Sequence, residues 1–115
     1  TNLLFTDDFT AFMHKNAGGE WPGYVLTLKP GFAAEDLRAW FSSLEKAPLV
    51  SFFLINPGKF SAFKDGTVNN KYPDRYAPAT TPGASMSYLM LPQQNKVILS
   101  TSFDGLKEAL RLMGL

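Results

Sequence analysis

The chain contains no cysteine and a single histidine among its 115 residues. Without thiols it can form no disulfide bond, no cysteine-based zinc site and no cysteine nucleophile. Charge is also scarce, since charged residues make up 18% of the chain, against about 25% in an ordinary globular domain. The net charge of +1 therefore indicates no nucleic acid, membrane surface or acidic substrate as a partner.

Long apolar segments are missing as well. No run reaches the ~18 apolar residues of a membrane-spanning helix, and no signal-peptide pattern is present. Because a domain without thiols loses nothing in an oxidising compartment, the composition favours an exported protein. We expect the chain, which begins at Thr1, to be part of a longer protein whose targeting segment lies elsewhere.

The sequence carries no recognisable catalytic or metal-binding constellation. His14 would have to serve any Ser-His-Asp triad, but no G-x-S-x-G motif accompanies it. Asp7 and Asp8 would point to opposite faces of a strand, so they would not converge on one cation. We expect no enzyme activity, no catalytic or metal site and no cofactor. A hydrolase using His14, Asp8 and a nearby serine is the least supported class of function.

Apolar and aromatic side chains are abundant. The chain has 45% hydrophobic residues, including 10 Phe, 4 Tyr and 2 Trp. This composition excludes disorder, because so many rings can bury a large apolar area. The length predicts a single domain over residues 1–115, with an irregular insert at about 59–85.

Hydrophobic periodicity predicts most of the elements. Residues 33–46 form a helix with Leu37, Trp40, Phe41 and Leu44 on one stripe. Residues 49–55 form a strand buried on both faces, and residues 87–91 and 96–101 form a hairpin. Thr101 or Ser102 caps a last helix over 104–113, with Leu106, Leu110 and Met113 on its inner face. Residues 5–15 fit a strand or a helix, and the turn cluster at 16–23 favours a hairpin.

The predicted fold is α+β, in the order ββα-β-(irregular insert)-ββα. We expect a largely antiparallel sheet of about five strands with both helices on one face, where their apolar stripes meet over Phe52 or Phe53. Trp40→Ala should then cost about 3–5 kcal/mol. Trp21 is predicted at the tip of the first hairpin, and Trp21→Ala should cost under ~1 kcal/mol of stability if the ring is exposed.

In the insert, basic residues alternate with aromatic residues. The insert also contains Asp65-Gly66, a sequence typical of a hairpin turn. Such a face can stack on nucleobases or sugars, or its rings can fasten the insert to the domain while the lysines stay solvated. The residues predicted to contact a ligand or partner are Trp21, Lys64, Lys71, Tyr72, Arg75 and Tyr76.

Four short segments of the chain also resemble a known group of domains. Residues 63–70, 74–76, 87–91 and 97–102, the last leading into a short final helix, resemble uncharacterised extracytoplasmic domains of large membrane-anchored exported proteins in small-genome bacteria. The resemblance implies an envelope-associated, extracytoplasmic setting, and it carries over no site residue.

Together these features predict a non-catalytic structural or interaction module of a larger envelope or surface protein. Its expected partners are neighbouring domains of the same chain or another envelope protein. The alternative is a ligand-binding module that uses the aromatic-basic insert for polysaccharide or nucleic acid.

Overall fold

The fold of this protein is built around one antiparallel β-sheet. The computed structural model describes residues 5–16, 19–32, 34–46, 53, 56–91 and 94–115. Within these residues the elements are, in chain order, β1 (Phe5–Asn16), β2 (Gly19–Leu28), α1 (Ala34–Lys46), β3 (Lys64–Val68), β4 (Tyr72–Pro78), β5 (Ser85–Leu91), β6 (Lys96–Ser100) and α2 (Phe103–Leu112).

The described strands form one sheet in the order β1-β2-β6-β5-β4-β3, and every pair is antiparallel. The hairpins β1–β2 and β3–β4 are the outer pairs, and the hairpin β5–β6 is the central pair. The pairings of β2 with β6 and of β4 with β5 join the three hairpins. The α+β class is therefore confirmed. The sheet has six strands in the described residues rather than about five.

The insert at 59–85 is not irregular, because β3 and β4 lie within it. Its turn is at Asn69-Asn70, where φ is 57° and 55°. The amide of Lys71 donates to the carbonyl of Val68 at 3.1 Å. Two consecutive left-handed residues give the turn that matches strand twist, and asparagine tolerates that conformation well. Asp65 and Gly66, predicted to form the turn, instead lie inside β3.

The sheet is buried on both faces. Along β6, Val97 and Leu99 pack into one hydrophobic cluster while Ile98, between them, packs into another. The same alternation occurs on β5, where Tyr88 and Leu89 belong to different clusters. Since neighbouring residues on a strand point to opposite faces, each cluster lies on its own face of the sheet.

The prediction that both helices lie on one face is therefore wrong. Leu37 and Leu44 of α1 belong to the cluster of Tyr88, whereas Leu106 and Leu110 of α2 belong to the cluster of Leu89. The physical reason is that strands with apolar side chains on both faces need cover on both faces. The predicted meeting of the two helical stripes does not occur, because the sheet separates them.

Both helices lie within one residue of their predicted bounds. Helix α1 starts one residue after the predicted start and carries Glu35 and Asp36 in its first turn, where the helix dipole favours negative charge. Ser102 caps α2: its Oγ accepts a hydrogen bond from the amide of Gly105 at 2.9 Å. Neither described helix is both long and apolar enough to cross a membrane.

Two further predictions concern the core. Trp21 does not lie exposed at a hairpin tip, because its side chain is 0% exposed and its Nε1 donates to Oδ1 of Asn16 at 3.1 Å. The predicted strand 49–55 lies outside the described residues except for Phe53, whose ring is 5.5 Å from that of Phe60.

Candidate ligand cavity

A cavity of about 510 Å³ lies on the α2 face of the sheet, beside the N-terminal end of that helix. Strands β3 and β4 and the start of β5 line part of it, the loop 79–84 lines another part, and Phe103 of α2 completes it. The residues that line it are Gly66, Thr67, Asp74, Tyr76, Pro78, Ala79, Thr81, Pro82, Gly83, Ala84, Ser85 and Phe103. The volume falls in the ordinary range of small-molecule sites.

Asp74, whose carboxyl group is buried, is one of the residues that line this cavity. Asp74 is 4% exposed, and neither of its oxygens has a hydrogen-bond partner among the described residues. Its neighbour across the β3–β4 pair is Gly66, where an added Cβ would lie 2.7 Å from Oδ1 of Asp74. Glycine at this position therefore leaves the space that the carboxyl group occupies.

Burial raises the pKa of Asp74, because removal from water disfavours its charged form. The backbone amide of Asp74 itself lowers the pKa, and the negative charge of Asp65 raises it further. The raised pKa means that the folded protein binds a proton at Asp74 more tightly than the unfolded chain does. Ionised Asp74 therefore lowers the stability of the fold, which is a common property of residues kept for function.

We expect Asp74→Asn to raise the free energy of unfolding at neutral pH, because the amide keeps the shape of the carboxyl group without its charge. With a raised pKa, Asp74 weakens the wild-type fold only as the pH rises from the unfolded-state pKa through the folded-state pKa. Urea melts from about pH 3 to pH 8 should therefore show the advantage of the variant growing with pH. An advantage that is constant or falls with pH would contradict this account.

The loop that forms one wall of the cavity is held in place by its own turn. The amide of Ala84 donates to the carbonyl of Thr81 at 3.0 Å, and Pro82 and Gly83 occupy the central positions. Gly83 has a φ of 84°. Proline followed by a left-handed glycine is the sequence that a type II turn requires, so this wall has a defined shape.

A second strip of backbone braces the same loop. The amides of Thr80 and Thr81 donate to the carbonyls of Lys59 and Pro57, each at 3.0 Å. Oγ1 of Thr81 donates to the carbonyl of Asn56 at 2.9 Å. These bonds join segments far apart in sequence, so the wall is positioned before any ligand arrives.

Trp21 supports the cavity from inside the protein. An added Cβ on Gly83 would lie 3.5 Å from Cζ2 of Trp21, so the indole packs beneath the turn. Beside it, the carbonyl of Pro22 accepts hydrogen bonds from both the amide and the hydroxyl of Thr101. Trp21 thus positions the wall rather than contacting a partner at the surface.

Aromatic rings and a serine pair complete the lining. The rings of Tyr76 and Phe103 have centroids 6.5 Å apart at an angle of 58°. Ser85 Oγ lies 3.0 Å from Ser87 Oγ, and both residues are buried. The cavity therefore offers apolar ring surface together with two kinds of polar group, a carboxyl and a hydroxyl.

The six predicted contact residues do not form one surface. Tyr76 lines the cavity, and Tyr72 packs in the α2-side cluster with Lys71 Nζ 5.2 Å from its ring centroid. Lys64 lies exposed at the start of β3. Tyr72, Arg75 and Tyr76 do not share one surface, because Arg75 points to the opposite face of β4 from the two tyrosines.

Arg75 is engaged on the α1 side of the sheet. Its Nε and Nη2 donate to the carboxylate of Glu45 at 2.6 and 2.8 Å, and its Nη1 donates to Asp65 Oδ1 at 2.9 Å. The hydroxyl of Tyr88 also donates to Glu45 Oε2. The hydrogen bonds from Arg75 are the main reason that the pKa of Glu45 is lowered. This cluster fastens α1 to the sheet.

We expect Glu45→Gln to lower the free energy of unfolding by about 1 kcal/mol at neutral pH. The value is modest because the Arg75 side chain is 37% exposed and solvent screens the pair. A lowered folded-state pKa gives stability that is present above the unfolded-state pKa and lost as the pH falls through the folded-state pKa. Wild type and variant should therefore converge at acidic pH in urea melts. A difference of the same size at pH 3 and pH 7 would argue against the ion pair.

The serines near the start of α2 are used by the fold. Ser102 Oγ caps the helix, and Ser100 Oγ donates to the carbonyl of Ser102 at 2.8 Å. His14 lies close by, since an added Cβ on Gly105 would be 3.2 Å from His14 Cβ and 2.8 Å from both serine oxygens. Across the described ranges, no cluster of three or more His, Cys, Asp or Glu side chains could hold a metal ion.

No protein-family model matches the chain, and neither a curated protein nor a solved structure is significantly similar to it. The resemblance to exported bacterial domains therefore stays a prediction.

Sequence reasoning did not identify Asp74 or Gly66 as site residues. In the sequence Asp74 stands beside Arg75, a pattern typical of a solvated ion pair. Its burial depends on the register that places Gly66 opposite it and on the distant loop 79–84. The Thr81-Pro82-Gly83-Ala84 turn was the local signal available, since this type of turn fixes the chain around a defined space.

Proposed function

We propose that the chain is a non-catalytic ligand-binding domain and that its ligand occupies the Asp74 cavity. The observation that carries the proposal is a residue, Asp74, that lines a cavity of about 510 Å³ and whose buried carboxyl group has no partner in the described residues. Leaving a buried polar group unsatisfied costs about 1–3 kcal/mol, and more for a charged group. Proteins that retain such a group commonly use it to bind or to react.

The preformed walls support binding. Hydrogen bonds from the loop 79–84 to residues 56–59, together with Trp21 beneath Gly83, fix the cavity without a ligand. A rigid cavity loses little conformational entropy when a ligand enters, which favours affinity. Apolar lining with a few converging polar groups is the common composition of small-molecule sites.

The absence of catalytic activity is part of the proposal. Among the described serines near His14, Ser102 is the helix cap and Ser100 is bonded to the backbone. Ser85, which lines the cavity, pairs with Ser87 rather than with a base. A nucleophile needs an adjacent base within hydrogen-bond reach, and these contacts supply none.

Binding can be tested with a neutral probe that fits the cavity. Benzyl alcohol titrated into the ¹⁵N-labelled protein should shift the amide signals of Gly66, Gly83 and Ser85 together. Gly66→Ala should weaken binding about tenfold or more, because the new Cβ would lie 2.7 Å from Asp74 Oδ1 and 2.8 Å from Tyr76 Cε1.

Gly31→Ala is the matched control, since a Cβ there meets nothing within 4 Å. This control has a φ of 75°, so it carries a conformational cost of its own without touching the cavity. Benzyl alcohol that shifts none of the cavity amides, or that binds the two variants equally well, would count against the proposed function.

We also propose the extracytoplasmic setting that the resemblance implies, within a larger envelope protein. The missing cysteines and the four matching segments support it. Fractionation of the native host, followed with an antibody against this domain, would test the setting. Recovery only from the cytoplasmic fraction would exclude it. The expectation of a protein partner stays a prediction.

A further inference from the structure

We infer that the ligand of the Asp74 cavity is a small organic cation: one protonated nitrogen on an apolar frame. The inference rests on the proposed function and names the chemical class that the cavity selects. The nitrogen would donate to Asp74, and the apolar frame would lie against Tyr76 and Phe103.

The charge of the ligand follows from what Asp74 lacks. A carboxylate removed from water needs an opposite charge or several hydrogen-bond donors. In the described part of the chain, neither oxygen of Asp74 receives a hydrogen bond. An ammonium group supplies both, since it carries a positive charge and up to three N–H donors.

None of the basic residues nearby forms an ion pair with Asp74 in the described residues. Arg75 is the next residue along β4, but it lies on the opposite face and donates to Glu45 and Asp65. Lys71 lies over the ring of Tyr72, and Lys64 is exposed on β3. The described ion pairs therefore leave Asp74 without a positive partner from the protein.

Other ligand classes fit the lining less well. A divalent metal ion needs several oxygen or nitrogen ligands, and the described residues contain no cluster of three candidate side chains. An anion would meet the negative charge of Asp74. A neutral apolar molecule would leave the carboxyl group unsatisfied, so it should bind more weakly than its cationic counterpart.

The lining also suits the frame of such a ligand. The tilted rings of Tyr76 and Phe103 offer faces to an aromatic or aliphatic group, and an aromatic face attracts a nearby cation. The volume of about 510 Å³ admits a molecule of one or two rings. The lining residue Ser85 can serve as a second polar contact.

The test compares benzylamine with benzyl alcohol, which has nearly the same shape without the positive charge. Isothermal titration at about pH 8, where an ordinary aspartate is ionised, should give benzylamine an affinity about 10- to 100-fold higher. That factor corresponds to a hydrogen bond between charged groups. Asp74→Asn should remove the preference, because the side-chain amide offers the ammonium group no negative charge.

Asp65→Asn is the matched control, because it removes a carboxylate from the neighbouring strand on the opposite face of the sheet. This control should keep the preference for benzylamine. Equal affinity of the two probes for the wild type, or a preference that survives Asp74→Asn, would overturn the inference and leave the ligand-binding function standing. Binding of neither probe would overturn both.

Discussion

Trp21→Ala should lower the free energy of unfolding by about 3–5 kcal/mol, the usual range for removing a fully buried tryptophan. The indole is 0% exposed, and its Nε1 donates to Asn16. Substitution removes that hydrogen bond and leaves a cavity beneath the turn at Gly83. The loss is a large part of the ~5–15 kcal/mol that stabilises a typical domain. Urea melts of the variant should therefore show a fold close to unfolding.

Trp40→Ala is the control, and its expected cost is smaller, about 1.5–2.5 kcal/mol. Trp40 is only half-buried on α1 and packs edge-on against Phe5 and Phe41. This order reverses the one expected from the sequence, which predicts Trp21 at a hairpin tip with a small cost if its ring is exposed. If Trp40→Ala proves the more damaging of the two, then the placement of Trp21 under the loop 79–84 is wrong.

Leu106→Ala should lower the free energy of unfolding by about 2–5 kcal/mol, because it empties the centre of the α2-side cluster. Leu106 is fully buried, whereas Leu112 on the same helix is 69% exposed. Leu112→Ala should therefore change stability by less than ~0.5 kcal/mol. Chemical denaturation of both variants measures the contrast, and similar losses would show that α2 is not docked as described.

The same variant tests the placement of the helices on opposite faces. Leu44 belongs to the α1-side cluster and shares no cluster with Leu106. The effects of Leu44→Ala and Leu106→Ala should therefore add to within ~0.5 kcal/mol in the double variant. A larger interaction energy would indicate direct packing between the helices and would contradict the separation by the sheet.

Local patterns predicted the elements whose signals are short-range. The hairpin of β5 and β6, the stripe of α1 and the Ser102 cap of α2 are all confirmed. Each depends on residues within one or two turns of the chain, so a window of sequence contains all the information needed. The strand alternative for residues 5–15 is also confirmed, as β1.

A run of consecutive apolar residues predicts a strand buried on both faces. From the sequence, such a strand is predicted only at residues 49–55, although β6 has the same pattern. Val97, Ile98 and Leu99 are consecutive apolar residues on β6, and all three are buried. A strand without polar alternation is buried on both faces, so the helices had to divide between them. The sequence therefore contains enough information to predict one helix on each face of the sheet, although it does not predict the strand order.

The cavity could not be read from local sequence. Asp74 becomes a site residue through the pairing of β4 with β3 and β5 and through the loop 79–84. Trp21 becomes buried through the same loop, which lies far away in the chain. Such contacts depend on register and tertiary packing, which a propensity pattern does not encode.

We propose that the buried carboxyl group of Asp74 binds a cationic ligand, and carboxyl ¹³C NMR tests this proposal most directly. The resonance of Asp74 in the free protein should titrate with a pKa above the ordinary aspartate value, because burial raises it. Saturation with benzylamine should then lower that pKa, since a bound positive charge favours the ionised form. A free-protein pKa at or below the ordinary value, unmoved by benzylamine, would contradict the account.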